Sequence, residues 1–210
     1  MPTYGAPRFD TTKILSRREI CAVLADLHRK ARRSRGTRLN LIIFRLATCC
    51  GLRASEVANL RMSDVIIDHP RPHIRIRRGA AKGGRPRMVP LWWDSGTLDD
   101  LARWKSDRLA QVADPQSPFV ASFRSGRGTT SFSRHTLRKR FRTACKVLGP
   151  DRLATLTIHH GRHTFISHAL AGGRTLAEVR DAAGHANVSI TSSYLHVVVD
   201  DDAIGHLFGV

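Results

Sequence analysis

The spacing of apolar residues predicts a helix near the start of the chain. Ser16 and Glu19 have the spacing of a capping box, in which each side chain hydrogen-bonds the backbone of the other residue. Apolar residues then recur every three or four positions, as on one face of a helix: Ile20, Val23, Leu24 and Leu27. The pattern predicts an amphipathic helix over residues 16–30.

Similar signals predict helices along most of the remaining chain. Residues 38–50 are apolar on nearly every side, which indicates a central buried helix that ends at Gly51. Thr97 with Asp100 can cap a helix that runs to about Val112. The other predicted helices cover residues 54–61, 137–148, 161–171, 175–183, 189–196 and 200–208.

The middle of the chain has a different periodicity. Residues 64–69, 73–78 and 87–91 are short β-branched or alternating runs, separated by Pro and Gly. They predict a small antiparallel β-sheet, with Lys82 at a hairpin tip. The expected fold class is therefore α+β, mainly helical, with one small antiparallel sheet.

Charge indicates a polyanionic partner. Lys and Arg total 35 against 17 Asp and Glu, which gives a formal net charge of +18. Much of the excess lies in three blocks, residues 28–38, 71–87 and 134–146. Separated basic blocks within folded sequence suggest several contacts to nucleic acid around one concave surface. The alternative is that they are the solvated faces of a basic protein.

Membrane and secretory proteins are disfavoured classes. The most apolar run contains Arg45 and is too short to span a bilayer, and no apolar signal core begins the chain. A soluble, cytoplasmic protein is expected. The four cysteines show no CxxC spacing, which favours buried free thiols over disulfides or a zinc site.

Four short motifs with polar residues precede Tyr194, which is one of only two tyrosines in the chain. Arg53 lies in CGLRASEVANL, and Lys82 lies in AAKGGRPRMVPL. IHHGRHTF holds His159 and Arg162 in an H-x-x-R arrangement. AGH supplies His185, nine positions before Tyr194.

These motifs together resemble the catalytic domain of the tyrosine recombinases, the phage integrase family. The resemblance implies that domain's fold and a site-specific DNA recombinase or integrase, which cleaves and rejoins strands through a 3′-phosphotyrosine. The family's active-site positions fall on these residues: Arg53, Lys82, His159, Arg162, His185 and Tyr194 as nucleophile. The sequence departs from the family pattern at Ala80 or Ala81, at Gly161, which could loosen the start of its helix, and at Ala183.

The residue types suit transfer of a phosphodiester to tyrosine. Two guanidinium groups, on Arg53 and Arg162, can bind the nonbridging oxygens of the transition state. Tyr194 has an ordinary pKa of about 10 and needs help to lose its proton, for which His159 is the expected group. Lys82 would protonate the leaving 5′-oxygen as general acid, and His185 would donate a hydrogen bond to the phosphate. No metal and no cofactor are expected, since arginines supply the positive charge.

Each assignment has a simpler alternative. Arg53 could be held in a salt bridge by Glu56, and Lys82 could be a solvated turn residue. Tyr194 could be a packed core aromatic. The three histidines at positions 159, 160 and 163 could bind a metal ion, although no H-E-x-x-H register is present. At the level of function, the alternatives are a type IB topoisomerase-like enzyme and a noncatalytic DNA-binding regulator.

The resemblance also implies partners and domain limits. The expected partners are double-stranded DNA and further copies of the chain, as a tetramer on DNA. The residues expected to bind DNA are Arg77, Arg78, Arg85, Arg134, Arg138 and Arg142. Residues 1–13 are expected to be a short extension and 14–210 the catalytic domain, without the family's N-terminal core-binding domain. Residues 199–210 could dock on a neighbouring protomer, and the location would be the cytoplasmic nucleoid.

Overall fold

The structure of the protein is a computed structural model, which describes residues 11–79, 86–112, 114–122 and 129–195. Helices dominate this part of the chain. They are α1 Arg17–Ala31, α2 Arg35–Phe44, α3 Ala54–Ala58, α4 Ser95–Leu109, α5 Arg134–Ala144, α6 Pro150–Thr155, α7 Ile158–Ala171, α8 Leu176–Ala183 and α9 Val188–Ser192. Their buried apolar residues join those of the sheet in a single core cluster.

The first helix confirms its sequence signals. The Ser16 hydroxyl oxygen accepts from the Glu19 backbone N–H at 3.2 Å, and the Glu19 carboxylate accepts from the Ser16 N–H at 2.8 Å. The predicted apolar stripe is fully buried in the core. A capping box of this kind satisfies donors that the first turn would otherwise leave unpaired.

The central buried helix differs from its prediction in both limits. It begins at Arg35, where the Ser34 hydroxyl accepts from the Thr37 N–H, and its α-helical part ends at Phe44. The chain then continues as a π-helical turn over Arg45–Cys49, which is buried throughout. The predicted end at Gly51 holds for this combined segment, since Gly51 has a φ of 64°.

The predicted cap of α4 is wrong. Its N-cap is Asp94, and the Thr97 hydroxyl donates to the Asp94 carboxylate from inside the first turn. Asp100 instead accepts from Arg45 Nε at 2.8 Å, and Arg45 Nη1 donates to Asp94 at 3.3 Å. The buried guanidinium of Arg45 therefore recruits both acidic residues, which local spacing could not indicate.

The predicted antiparallel sheet is confirmed. Its three strands lie in sequence order, β1 Val65–Ile66, β2 His73–Ile76 and β3 Arg87–Pro90. Ile74 is paired with both Val65 and Val89, and all three side chains are buried. A second, two-stranded ladder, β4 Ala121–Ser122 with β5 Thr130–Ser131, was not predicted because its strands are too short to show periodicity.

The last helices carry much of the site. α6 was not predicted. α7 begins at Ile158, three residues before the predicted start, so His159 lies in its first turn. The predicted helix 175–183 is confirmed as α8, and helix 189–196 is shorter, as α9. The predicted helix 200–208 lies outside the described residues.

Gly161, which was expected to loosen the start of its helix, has a packing role. A Cβ at this position would lie 2.9 Å from Thr48 Oγ1 and 3.0 Å from the Ala47 carbonyl carbon and oxygen. α7 therefore packs directly against the π-helical turn, and the absent side chain permits that approach.

In the described part of the chain, every helix is too short or too polar to cross a bilayer.

Candidate active site

Arg162 lies at the centre of the candidate site. Its side chain extends from α7 and is 2% exposed. Nη1 donates to the Gly51 carbonyl oxygen at 2.9 Å, and Nη2 donates to the Ala183 carbonyl oxygen. Burial lowers the pKa of Arg162, as do the nearby charges of Arg53 and Arg87, but a guanidinium remains protonated at neutral pH. The residue thus joins α7 to the end of the π-helical segment and to the end of α8.

Arg53 precedes α3 as its N-cap residue. Its backbone N–H donates to Glu56 Oε2 at 2.8 Å, and its Nη1 donates to Glu56 Oε1 at 3.0 Å. The salt bridge that was the alternative reading is therefore present. It does not bury the guanidinium, because the Arg53 side chain remains 35% exposed and lines a cleft. The carboxylate orients this arginine toward the cleft.

That cleft has a volume of about 430 Å³ and lies between the start of α3, α5 and the start of α7. Arg134, Arg138 and Arg142 line it together with Arg53 and His159. The three α5 arginines recur every fourth position, which sets them on one helix face. The third basic block thus shares a cleft with two predicted active-site residues, and this arrangement favours a polyanion.

The Tyr194 side chain is 6% exposed and lies just after α9. Its hydroxyl is 2.5 Å from His163 Nδ1, and the two rings are stacked with centroids 5.8 Å apart. Burial raises the pKa of Tyr194, against the opposing charge of Arg162. Burial also lowers the pKa of His163 to about 4, helped by His159 and His160. At neutral pH the imidazole is therefore neutral, and Nδ1 can accept from the tyrosine hydroxyl in the tautomer that carries the hydrogen on Nε2.

His159, the residue expected to assist the tyrosine, lies one turn earlier on α7. Its ring meets the His163 ring edge to face, with centroids 4.5 Å apart. The contact with the hydroxyl thus belongs to His163, which was not among the residues expected in the active site. The four-residue spacing of these two histidines is the signal that could have indicated a shared helix face. Burial lowers the pKa of His159, and the charges of Arg162 and Arg53 lower it further.

His185 follows the left-handed C-cap Gly184 of α8, whose φ is 69°. Its Nδ1 lies 2.9 Å from the buried Thr191 hydroxyl. Burial lowers the pKa of His185 to about 4, and the charges of Arg162 and Arg53 add to the shift. The ring is neutral at pH 7 and can use Nε2 as the donor toward a ligand when Nδ1 accepts from Thr191.

Arg87 was missed by sequence reasoning. Its Nη1 and Nη2 donate to the two Glu56 carboxylate oxygens at 2.7 and 2.8 Å, and its side chain is 5% exposed. Arg87 lies in a basic block where several arginines look alike in the sequence, so no local signal marks it as buried.

Two other predicted DNA-binding residues lie along the sheet. Arg77 Nε donates to Asp64 at 2.9 and 3.0 Å and Nη2 donates to the Asn59 carbonyl oxygen, so its guanidinium also stabilises the fold. Arg78 is exposed and lines a separate shallow cleft with Arg75. Lys82 and Arg85 lie outside the described residues.

The first basic block lines a third cleft, beside α4, instead of the one that contains Arg53. Arg38 Nη1 pairs there with Asp107 at 2.8 Å. In the described part of the chain, the three basic blocks therefore border different clefts. Within the described residues, no three His, Cys, Asp or Glu side chains are placed to share a metal ion.

The sequence matches the family model described as "Phage integrase family" over residues 13–200. Tyrosine recombinase XerC of Corynebacterium efficiens is 36% identical over 157 residues, which cover 74% of this chain and 45% of that protein. Tyrosine recombinase XerD of Listeria monocytogenes is 29% identical over 149 residues, which cover 70% of this chain and 46% of that protein. The chain thus spans about half the length of the curated relatives it matches.

Solved structures share the fold. XerA recombinase superposes with a TM-score of 0.70 at 24% identity, over 88% of this chain and 60% of that chain. XerH site-specific recombinase, bound to difH substrate in a pre-cleavage complex, gives a TM-score of 0.67 at 19% identity, over 88% of this chain and 50% of that chain. The mainly helical fold with a small antiparallel sheet is thus that of recombinase catalytic domains.

Proposed function

Because the chain belongs to the phage integrase family, we propose that residues 14–210 form the catalytic domain of a site-specific DNA recombinase. It cleaves and rejoins DNA strands through a 3′-phosphotyrosine intermediate. The observation that carries the proposal is the contact of the Tyr194 hydroxyl with a neutral imidazole, beside the buried guanidinium of Arg162. A packed tyrosine also takes a hydrogen-bond partner, but it does not need a neighbouring guanidinium that favours its ionised form.

The cleavage step moves one phosphodiester bond. Tyr194 Oη attacks the phosphorus and loses its proton, and a P–O bond forms as the bond to the 5′-oxygen breaks. The leaving 5′-oxygen takes up a proton and departs as a hydroxyl, and the reverse reaction rejoins the strand. Arg53 and Arg162 bind the nonbridging oxygens, whose excess negative charge is greatest in the transition state.

Proton transfer involves groups on both sides of the phosphate. His163 accepts the tyrosine proton, because it is the imidazole in contact with the hydroxyl and is unprotonated at neutral pH. His159, exposed in the cleft, and His185 are proposed to contact the phosphate. Lys82 remains the proposed general acid for the leaving oxygen.

The proposed substrate is double-stranded DNA bound along the α5 arginines, and the net charge of +18 adds long-range attraction. Recombination joins two duplexes, so we propose a homo-oligomer on DNA, a tetramer, with residues 199–210 docking between protomers. A DNA substrate would locate the protein at the nucleoid in the cytoplasm.

Covalent trapping tests the proposal. The protein is incubated with a library of nicked suicide duplexes and denatured, and DNA-linked protein is detected on a gel. We expect an adduct for the wild type and for Tyr4→Phe, which alters the other tyrosine, but none for Tyr194→Phe. Sequencing the trapped DNA identifies the target site.

Other outcomes would identify the alternatives. DNA binding without an adduct in any variant would contradict the proposal and favour a noncatalytic regulator. An adduct accompanied by supercoil relaxation, without exchange between two target sites, would favour a topoisomerase-like enzyme.

A further inference from the structure

Three segments of the candidate site meet at the guanidinium of Arg87. This residue begins β3, and its Nη1 and Nη2 donate to both carboxylate oxygens of Glu56, at 2.7 and 2.8 Å. Its Nε donates to the Ala182 carbonyl oxygen in the last turn of α8, at 2.8 Å. Each nitrogen of the guanidinium therefore has a specific acceptor.

The Glu56 carboxylate links Arg87 to Arg53. It is fully buried, and it also accepts from Arg53 Nη1 at 3.0 Å and from the Arg53 backbone N–H at 2.8 Å. Burial alone would raise the pKa of Glu56, but the hydrogen bonds and charge of Arg87, followed by those of Arg53, lower it. Glu56 thus stays ionised and fixes the position of Arg53.

The other side of Arg87 supports the turn before His185. A Cβ at Gly184 would lie 2.7 Å from Arg87 Cδ, so the turn lies directly on the arginine side chain. Arg162 donates to the neighbouring Ala183 carbonyl oxygen. Two guanidinium groups therefore hold the carboxyl end of α8, where the helix dipole favours positive charge.

We propose that Arg87 is a positioning residue for the phosphate site. Acting through Glu56, it fixes Arg53, and acting through the end of α8, it fixes His185. Since each nitrogen of its guanidinium already donates to a protein acceptor, Arg87 does not bind the phosphate itself. The proposal rests on the proposed function, and it makes the β3 strand that follows the Lys82 segment part of the same assembly.

The first test measures how fast the Arg87→Lys variant forms the DNA adduct in a single turnover. The substrate is a duplex with which the wild type forms an adduct. Lysine keeps the charge but cannot reproduce the three-way donor geometry. We expect adduct formation about 10²-fold slower, as for misplacement of a reacting group by about 1 Å. The Kd for DNA should change by less than about threefold, because Arg87 contributes no phosphate contact. A wild-type rate, or an equal loss of affinity and rate, would overturn the proposal.

A double-mutant cycle shows whether the effect passes through Arg53. If Arg87 acts partly by orienting Arg53, Arg87→Lys must slow the reaction less in an Arg53→Ala background than in the wild type. Undiminished slowing would overturn this route. A wild type that forms no adduct with any duplex would count against the proposed function, which separates that failure from the failure of the Arg87 proposal.

A second buried arginine serves as the control for slowing that is caused by lost stability alone. Arg45→Lys alters a guanidinium that also bridges carboxylates, Asp94 and Asp100, but lies in a different cleft. Both variants are assayed well below their melting temperatures. Arg45→Lys should melt lower yet form adduct at the wild-type rate, and equal slowing by both variants would overturn the proposal. If Arg87→Lys does not fold, Glu56→Gln replaces it, with the same slowing expected and a wild-type rate as the contrary result.

Discussion

Gly161→Ala is expected to destabilise the protein, although alanine is the better helix former. In an isolated helix the substitution would stabilise by about 1 kcal/mol. Here the new Cβ would lie 2.9 Å from Thr48 Oγ1 and 3.0 Å from two backbone atoms of Ala47. Carbon atoms in contact prefer about 3.5–4.0 Å, so α7 must retreat by roughly 0.5–1 Å.

Overpacking of this kind costs about 1–3 kcal/mol, which outweighs the gain in helix propensity. We expect a net loss of about 1 kcal/mol and a melting temperature lower by about 2–4 °C. Because α7 carries Arg162 and His163, the same shift should slow adduct formation by about 10- to 100-fold.

The assay pairs urea unfolding with single-turnover trapping. Gly36→Ala is the matched control, since Gly36 is an exposed glycine in a helix. A Cβ at Gly36 would lie 3.7 Å from Ser34 Oγ, which is an ordinary contact distance. It should leave stability unchanged or raise it by up to about 1 kcal/mol, with an unchanged rate. If Gly161→Ala stabilises the protein as Gly36→Ala does, the close packing of α7 on the π-helical turn is refuted.

Two further predictions concern pH and salt. Burial lowers the pKa values of His163 and His185 to about 4, against about 6.5 when unfolded, so the unfolded chain binds protons first. The free energy of unfolding should therefore fall as pH drops from about 6.5 to 4. His163→Gln should make that fall smaller. An unchanged pH profile in this variant would contradict the lowered pKa of His163 in the folded protein. Arg138→Ala should reduce the slope of log Kd against log salt concentration by about 0.9, because one phosphate contact is lost. Arg38→Ala, in a different cleft, should leave that slope unchanged. Equal slopes for the two variants would argue against the α5 cleft as the DNA site.

Some elements could be predicted because their signals are local. The Ser16–Glu19 capping box and the alternation in β2 each depend on neighbours within a few residues, and both appear as expected. The order of Arg53, Arg162 and Tyr194 in their motifs was also readable, since each motif keeps its own short spacing. The same local reasoning failed for α4, where Arg45 binds the acidic residues from 49 and 55 positions away.

The sequence by itself determined the mainly helical composition, the small sheet, the basic charge and the residue types available for phosphoryl transfer. Only the tertiary structure decided that His163, rather than His159, contacts the Tyr194 hydroxyl, and that Arg87 rather than its basic neighbours joins Glu56 to α8. The reason is physical. Helix periodicity and capping act over a few residues, whereas contacts between residues 31 or 95 positions apart exist only once packing has brought their segments together.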